Sequence, residues 1–200
     1  KEDFTRSSYY KTNAKRENEK VKFKNYNNYL NSLKMKTDLK KFEKKDINRI
    51  TQLVNKTNQF NLTVKRLNLK EINYISKRSN FLTIVGNLKD KFGDNGLVTV
   101  FIGEMKKQTI DITVWLMSCR VFNRNLEFAL FDYLIKLCKS KGISTINGYY
   151  IKSEKNIIVK DFYKTLGFKK IKGRKNEDKW KFEITKKYIK KNKTIKINNE

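Results

Sequence analysis

The chain has no histidine, no proline and only two cysteines in 200 residues. Without histidine there is no Ser-His-Asp triad, no His-ligated zinc and no imidazole acid or base. Two cysteines cannot build the disulfide framework of a small secreted domain. Cys119 and Cys138 therefore read as free thiols in a reducing compartment, which places the protein in the cytoplasm. No stretch approaches the ~18 apolar residues of a membrane span, and Lys-Glu-Asp-Phe-Thr-Arg at the start holds no signal-peptide core. Residue 1 is Lys, not Met, so the sequence reads as a piece of a longer chain. Negative charge is scarce: 20 Asp+Glu against 47 Lys+Arg leave a net +27. Only eight of the cations are Arg, and the abundance of Lys, Asn and Ile is also what an AT-rich coding sequence produces. A basic surface attracts acidic partners. Nucleic acid is the weakest of these, because the chain carries no zinc finger or RNP motif. What is present is globular in texture, with 38% hydrophobic and 12% aromatic residues, and long enough for one domain with a core plus some appended chain.

Residues 1–35 are charged and polar with a thin apolar stripe, which predicts a long linker helix or one that packs on a missing element. The domain proper, 36–188, begins with a short strand at Leu39–Phe42. Asp46 then caps a helix with Ile47, Ile50, Leu53 and Val54 on one face. Phe81–Val85 and Gly96–Ile102 read as a hairpin joined through the turn-rich Phe92–Gly96, and Ile110–Cys119 as a further strand. A helix with Leu126, Leu130, Tyr133, Leu134 and Leu137 stops at Gly142. Strand Ile143–Ile151, helix Asn156–Leu166 and strand Trp180–Ile184 complete the order, and a basic tail, 189–200, frays. Together these predict an α/β (α+β) fold with a mixed, mostly antiparallel twisted sheet flanked by helices.

Three stretches carry more than periodicity. Thr57-Asn58-Gln59-Phe60-Asn61-Leu62-Thr63 sets amides and hydroxyls around one Phe, a poor core strip but a good set of hydrogen-bonding groups. Trp115-Leu-Met-Ser-Cys119-Arg120-Val121-Phe-Asn123-Arg124-Asn125 turns a strand into a helix, where free backbone N–H groups and two arginines favour an anion. The same field would favour a thiolate at Cys119. Strict alternation would put Cys119 on one face with Met117, Trp115, Thr113 and Asp111. Asp111 would still lie roughly 26 Å away at ~3.3 Å per residue and cannot be its base. Cys138 falls on the apolar stripe of the next helix and reads as core. The third stretch, Asn156 to Phe168, is a helix with an adjacent Phe162-Tyr163 pair, stopped by Gly167.

The third stretch resembles the Asn…Phe-Tyr-x-x-x-Gly-Phe segment of the GNAT acyltransferase fold, and Arg120 matches the first position of its pyrophosphate-binding loop. Asn123 and Asn125 stand where that loop has glycines; Asn tolerates positive φ, but its side chain hinders close approach of a pyrophosphate. Thr57–Thr63, Lys91–Gly96, Trp115–Val121 and Asn156–Tyr163 together resemble the C-terminal part of FkbH-like proteins. Those proteins join a HAD-type phosphatase domain (subfamily IIIC) to a GNAT-like domain. Glu2-Asp3…Arg6…Tyr10…Arg16-Glu17 resembles the helix that leaves their HAD domain; no HAD Asp-x-Asp-x-Thr motif is in the chain.

That resemblance implies transfer of a glyceryl-type group from 1,3-bisphosphoglycerate, with loss of phosphate. The group passes through an enzyme cysteine thioester to the phosphopantetheine thiol of an acyl carrier protein. The partners would be that carrier and the HAD domain of the same longer chain. The cofactor would be coenzyme A or the carrier's phosphopantetheine, with no metal in this domain. It implies Cys119 as nucleophile, Tyr163 as acid to a leaving thiolate and Asn58 at the oxyanion. Arg120, Val121, Asn123, Arg124, Asn125 and Asn156 would hold the cofactor, and Gln59, Asn61 and Trp115 the substrate. The alternatives are an acetyl-CoA-dependent N-acetyltransferase, and a non-catalytic GNAT-like domain that supports the phosphatase.

Overall fold

Runs of β-branched and aromatic residues assemble one ten-stranded sheet, and amphipathic helices cover both of its faces. A computed structural model describes residues 2–198 of the chain, and its side chains from residue 11 onward. The helices are α1 (Glu2–Lys20), α2 (Tyr26–Ser32), α3 (Ile47–Lys56), α4 (Leu69–Lys77), α5 (Leu126–Ser140) and α6 (Phe162–Thr165). The strands are β1 (Met35–Thr37), β2 (Leu39–Lys40), β3 (Phe60–Asn61), β4 (Phe81–Asp90), β5 (Gly93–Lys106), β6 (Thr109–Met117), β7 (Thr145–Ile151), β8 (Lys169–Arg174), β9 (Glu177–Glu183) and β10 (Ile195–Ile197). The main path runs β10-β1-β4-β5-β6-β7-β9-β8, with β2 on β4 and β3 on β6. All pairs are antiparallel except β1–β10 and β6–β7.

Two cores result. Ile47, Ile50, Leu53 and Val54 of α3, with Ile72 and Ile75 of α4, bury against Val85, Val100, Val114 and Leu116. On the other face Ala129, Leu130, Phe131, Leu134 and Cys138 of α5 pack on Phe101, Ile112 and Trp115. Side chains of this size each contribute roughly 1.5–3 kcal/mol when withdrawn from water. Helix α4 escapes a reading by apolar spacing because it is short, yet its capping box is legible: Asn68 and Glu71 satisfy each other's backbone N–H.

The strand before Cys119 does not alternate strictly. Ile102 faces Val114 and Gly103 faces Ile112, so Thr113 is an extra residue that reverses the side-chain parity. Asp111 and Trp115 are therefore not on a common face, and β6 ends at Met117, leaving Cys119 in a 3-10 turn, Cys119–Val121. Parallel strands β6 and β7 pair only from Thr109 to Asp111 and then separate. The 60–63 segment fills the opening: the Leu62 N–H donates to the Trp115 carbonyl at 3.2 Å, and the Ile151 N–H to the Leu62 carbonyl at 2.8 Å.

The ends of the chain also differ from expectation. The single helix predicted over 1–35 is divided, with a break after Lys20, then α2 capped by the Asn25 side chain, then β1. Arg16 of α1 is buried on the domain itself, on Asp90. The sequence likeness at Glu2, Asp3, Arg6 and Tyr10 rests on side chains outside the described residues. The stretch expected to fray is held instead: Asp132 accepts from the Tyr188 hydroxyl and from the backbone N–H groups of Lys191 and Asn192, and β10 then joins β1. Asn199 and Glu200 of that stretch lie outside the described residues. The β4–β5 turn falls at Lys91-Phe92, not over 92–96, because Asp90 pairs with Gly93 and its carboxylate accepts the Phe92 and Gly93 N–H groups. The helix expected from Asn156 to Leu166 is a 3-10 turn, Ile157–Val159, followed by α6.

Candidate functional site

A cleft of about 1360 Å³ opens between α3, the 57–60 segment, the start of β5 and the turn after β6. Asn58, Gln59, Cys119 and Arg120 all line it. These come from two sequence stretches some sixty positions apart, and β3 brings them together by pairing Phe60 with Met117. Cys119 is exposed there; Cys138 is buried in the α5 core, where desolvation pushes its thiol up to about 12. Asn58 is held by Arg66, whose guanidinium donates to Asn58 Oδ1 and also to the Val54 and Thr57 carbonyls at the end of α3. With Oδ1 engaged, the amide N–H groups are the donors Asn58 keeps for another partner. Arg66 was not foreseen: it lies ten residues beyond α3, and the fold returns it to the carbonyls at that helix's C-terminus.

The other candidates sit elsewhere. Trp115 is fully buried, edge-on to Phe101 at 5.5 Å and Phe162 at 4.8 Å, so it supports the sheet and does not touch a cleft ligand. Asn61 is likewise fully buried; its side chain reaches the Thr57 carbonyl at 3.4 Å, and its own carbonyl accepts from Asn156 at 2.9 Å. Asn156, expected on a cofactor, spends its whole amide on the protein. Nδ2 donates to the Asn61 and Ile151 carbonyls, while Oδ1 accepts from the Ser153 N–H and the Tyr150 hydroxyl. It is the bolt that holds the 60–63 segment to β7. Val121 is fully buried in the core.

Tyr163 does not reach the cleft. Its ring lies on Gly148, where an added Cβ would come within 2.4 Å, and its hydroxyl exchanges hydrogen bonds with the Tyr149 backbone at 3.3 and 3.4 Å. Burial pushes its hydroxyl far above the usual phenol range. Tyr163→Phe should therefore leave acyl transfer within about twofold of wild type and cost only ~0.5–1.5 kcal/mol of stability, read by denaturant titration. A hundredfold loss of rate would restore the general-acid role.

Around the start of α5, Asn123 and Asn125 take left-handed backbone, φ 60° and 62°, the conformation for which glycine is otherwise used. The Asn123 carbonyl accepts from the Tyr26 hydroxyl at 2.6 Å. Arg124 is buried and pairs with Asp90 at 3.2 Å, so its charge already has a carboxylate. A second cavity of about 270 Å³ lies here, lined by Asn123, Glu127, Phe128, Asp161 and Phe162; Phe60, Met117 and Phe122 wall it from the cleft and line both. Glu127 puts a carboxylate in the first turn of α5, and burial holds its pKa above the usual carboxylate range. A carboxylate at that helix start competes with an external anion for the same dipole.

No protein-family model matches the chain, and no curated protein matches it in sequence. Solved structures do match in shape. The PaiA N-acetyltransferase of Thermoplasma acidophilum, in complex with coenzyme A, aligns with a TM-score of 0.60 at 14% identity, over 74% of this chain and 98% of that one. The ribosomal-protein-S18-alanine N-acetyltransferase of Escherichia coli aligns at 0.58 and 14% identity, over 74% and 94%. The spermidine N-acetyltransferase of Vibrio cholerae, in complex with CoA and spermine, aligns at 0.56 and 12% identity, over 74% and 96%. The order of strands and helices and these likenesses agree: the chain has the GNAT acetyltransferase fold.

Proposed function

We propose that the chain is an acyltransferase domain that works through Cys119. In this reading it moves a small acyl group of the glyceryl type onto the phosphopantetheine thiol of an acyl carrier protein, as the likeness to FkbH-like proteins suggests. The observation that carries the reading is an exposed thiol in the wall of a large polar cleft, beside Arg120 and within the same lining as Asn58 and Gln59. The Cys119 sulfur, as thiolate, attacks the carbonyl carbon of an activated acyl donor, and the bond from that carbon to the leaving group breaks as the group departs with the electron pair. The thiol proton leaves to solvent. The carrier's thiolate then attacks the enzyme thioester, the carbon–Sγ bond breaks, and the Cys119 thiolate is regenerated. Asn58 N–H groups suit the developing oxyanion or a donor hydroxyl, and Gln59 serves the same rim. The net charge of +27 suits docking of an acidic carrier. A HAD domain ahead of α1 belongs to the same proposal, and so does a cytoplasmic setting. Among the described residues no helix is long and apolar enough to cross a membrane.

A second reading, acetyl transfer from coenzyme A to an amine, is favoured by the CoA-bound structures of the same fold. The two differ in charge. Coenzyme A brings a pyrophosphate and a further phosphate, which the Asp90-matched Arg124 and the Glu127 carboxylate are poorly placed to receive; a carrier arm brings one phosphodiester. The experiment pairs the two. The full-length protein with acyl donor and carrier protein should give a glyceryl mass increment on the carrier, and calorimetry should show no micromolar binding of coenzyme A. A carrier that stays unmodified, together with micromolar coenzyme A binding, would favour the second reading over the first.

A further inference from the structure

Arg49 has no part in the chemistry above, yet its setting is unlike that of the other arginines around the cleft. Arg49, Gln52 and Lys56 recur along the stripe of α3 that lines the cleft, beside the apolar stripe that holds the helix to the sheet. The Arg49 side chain is half-buried and donates to Gln52 Oε1 and, at 3.5 Å, to the Leu97 carbonyl, both neutral. Among the described residues no carboxylate pairs with it. Arg16 and Arg124 share Asp90, and Arg66 caps the carbonyls of α3. Burial first, and then the like charge of Arg120, disfavour the Arg49 cation. A desolvated cation held beside another cation, with no counter-charge, gains from an incoming anion on both accounts. Among the described residues, Lys56 and Lys155 also line the cleft, as do Asp94 and Glu154.

We propose that Arg49 and Arg120, which both line the cleft, form an anion subsite that takes a dianionic phosphate monoester next to Cys119. The binding of phosphate stands by itself; only the statement that the phosphate belongs to the acyl donor rests on the acyl-transfer reading. Planar guanidinium groups suit this ligand because each offers paired N–H donors to phosphate oxygens.

Inorganic phosphate is the probe, titrated into the full chain and followed by calorimetry and by the arginine Nε–Hε NMR signals. Wild type is expected to bind, and Arg49→Gln to bind at least about tenfold more weakly. Arg49→Lys should keep part of the affinity as a point charge, and Cys119→Ala should bind as wild type. Affinity should rise as pH passes the second pKa of inorganic phosphate, where the probe becomes a dianion. Wild-type affinity in Arg49→Gln, or affinity with no such pH dependence, would overturn the subsite, and so would wild type that binds no phosphate at millimolar concentration. Phosphate binding without carrier acylation would sink the acyl-transfer reading and leave the subsite standing. Acylation with an intact Arg49 but no phosphate binding would do the reverse.

Discussion

Cys119→Ala is expected to abolish the covalent acyl-enzyme and to lower carrier acylation by on the order of a thousandfold or more, the scale on which loss of a nucleophile acts. Intact-mass spectrometry after mixing the full-length enzyme with donor gives the first reading: one acyl increment on wild type, none on the variant. Peptide mapping should place the increment on Cys119. Cys138 is buried with its thiol pushed up to about 12, so at neutral pH it holds almost no thiolate and cannot substitute. The fold should survive, because the Cys119 side chain is exposed and no core contact is lost. Wild-type rate in Cys119→Ala would remove the cysteine from the mechanism and return attention to direct transfer between two bound substrates.

The second large effect concerns stability. The Asp90 carboxylate is wholly buried and holds two buried arginines, with Arg16 Nε at 2.8 Å and Arg124 Nη1 at 3.2 Å, besides the N–H groups of its own turn. One acid therefore ties α1, the β4–β5 turn and the loop before α5 together. Replacing such a pair outright with apolar groups can be neutral, but removing one partner leaves buried charge behind. Asp90→Ala takes the carboxylate from two buried guanidinium groups at once and should cost about 3–5 kcal/mol. In a chain of this length that is a fall in Tm of roughly 6–20 °C, measured by thermal unfolding. A loss below ~1 kcal/mol would mean that water enters and solvates the arginines, and that α1 is not held through this acid. Arg16→Met and Arg124→Met should each cost less than Asp90→Ala, since each leaves the acid with one partner.

The four candidates that the cleft gathers were legible because they are polar or nucleophilic groups at ends of elements, where chain direction changes. Four of the candidates it does not gather have a common cause. Trp115, Asn61, Asn156 and Tyr163 lie at the separation of β6 and β7, and the protein uses them to close that opening on itself. A motif written along one strand or helix cannot say whether its polar atoms meet a ligand or another segment of the chain. Arg124 shows the same in electrostatic form: read in sequence it reinforces an anion site, yet Asp90, thirty-four residues earlier, takes its charge. Arg49 shows the converse. It looks like one more solvated cation on a helix, and only its half-buried place in the cleft, held by neutral acceptors, singles it out.

Absence of histidine, the apolar spacing of α3 and α5 and the β-rich runs were determined by the sequence alone, because each depends on residue type or on neighbours within a turn. The parity reversal at Thr113, the 60–63 segment in the sheet opening, the anchoring of 189–198 on Asp132 and the gathering of Arg49 and Arg120 in one cleft were decided by tertiary structure. Each depends on residues far apart in the chain meeting through backbone hydrogen bonds or buried charge, and hydrophobic periodicity carries no information about either.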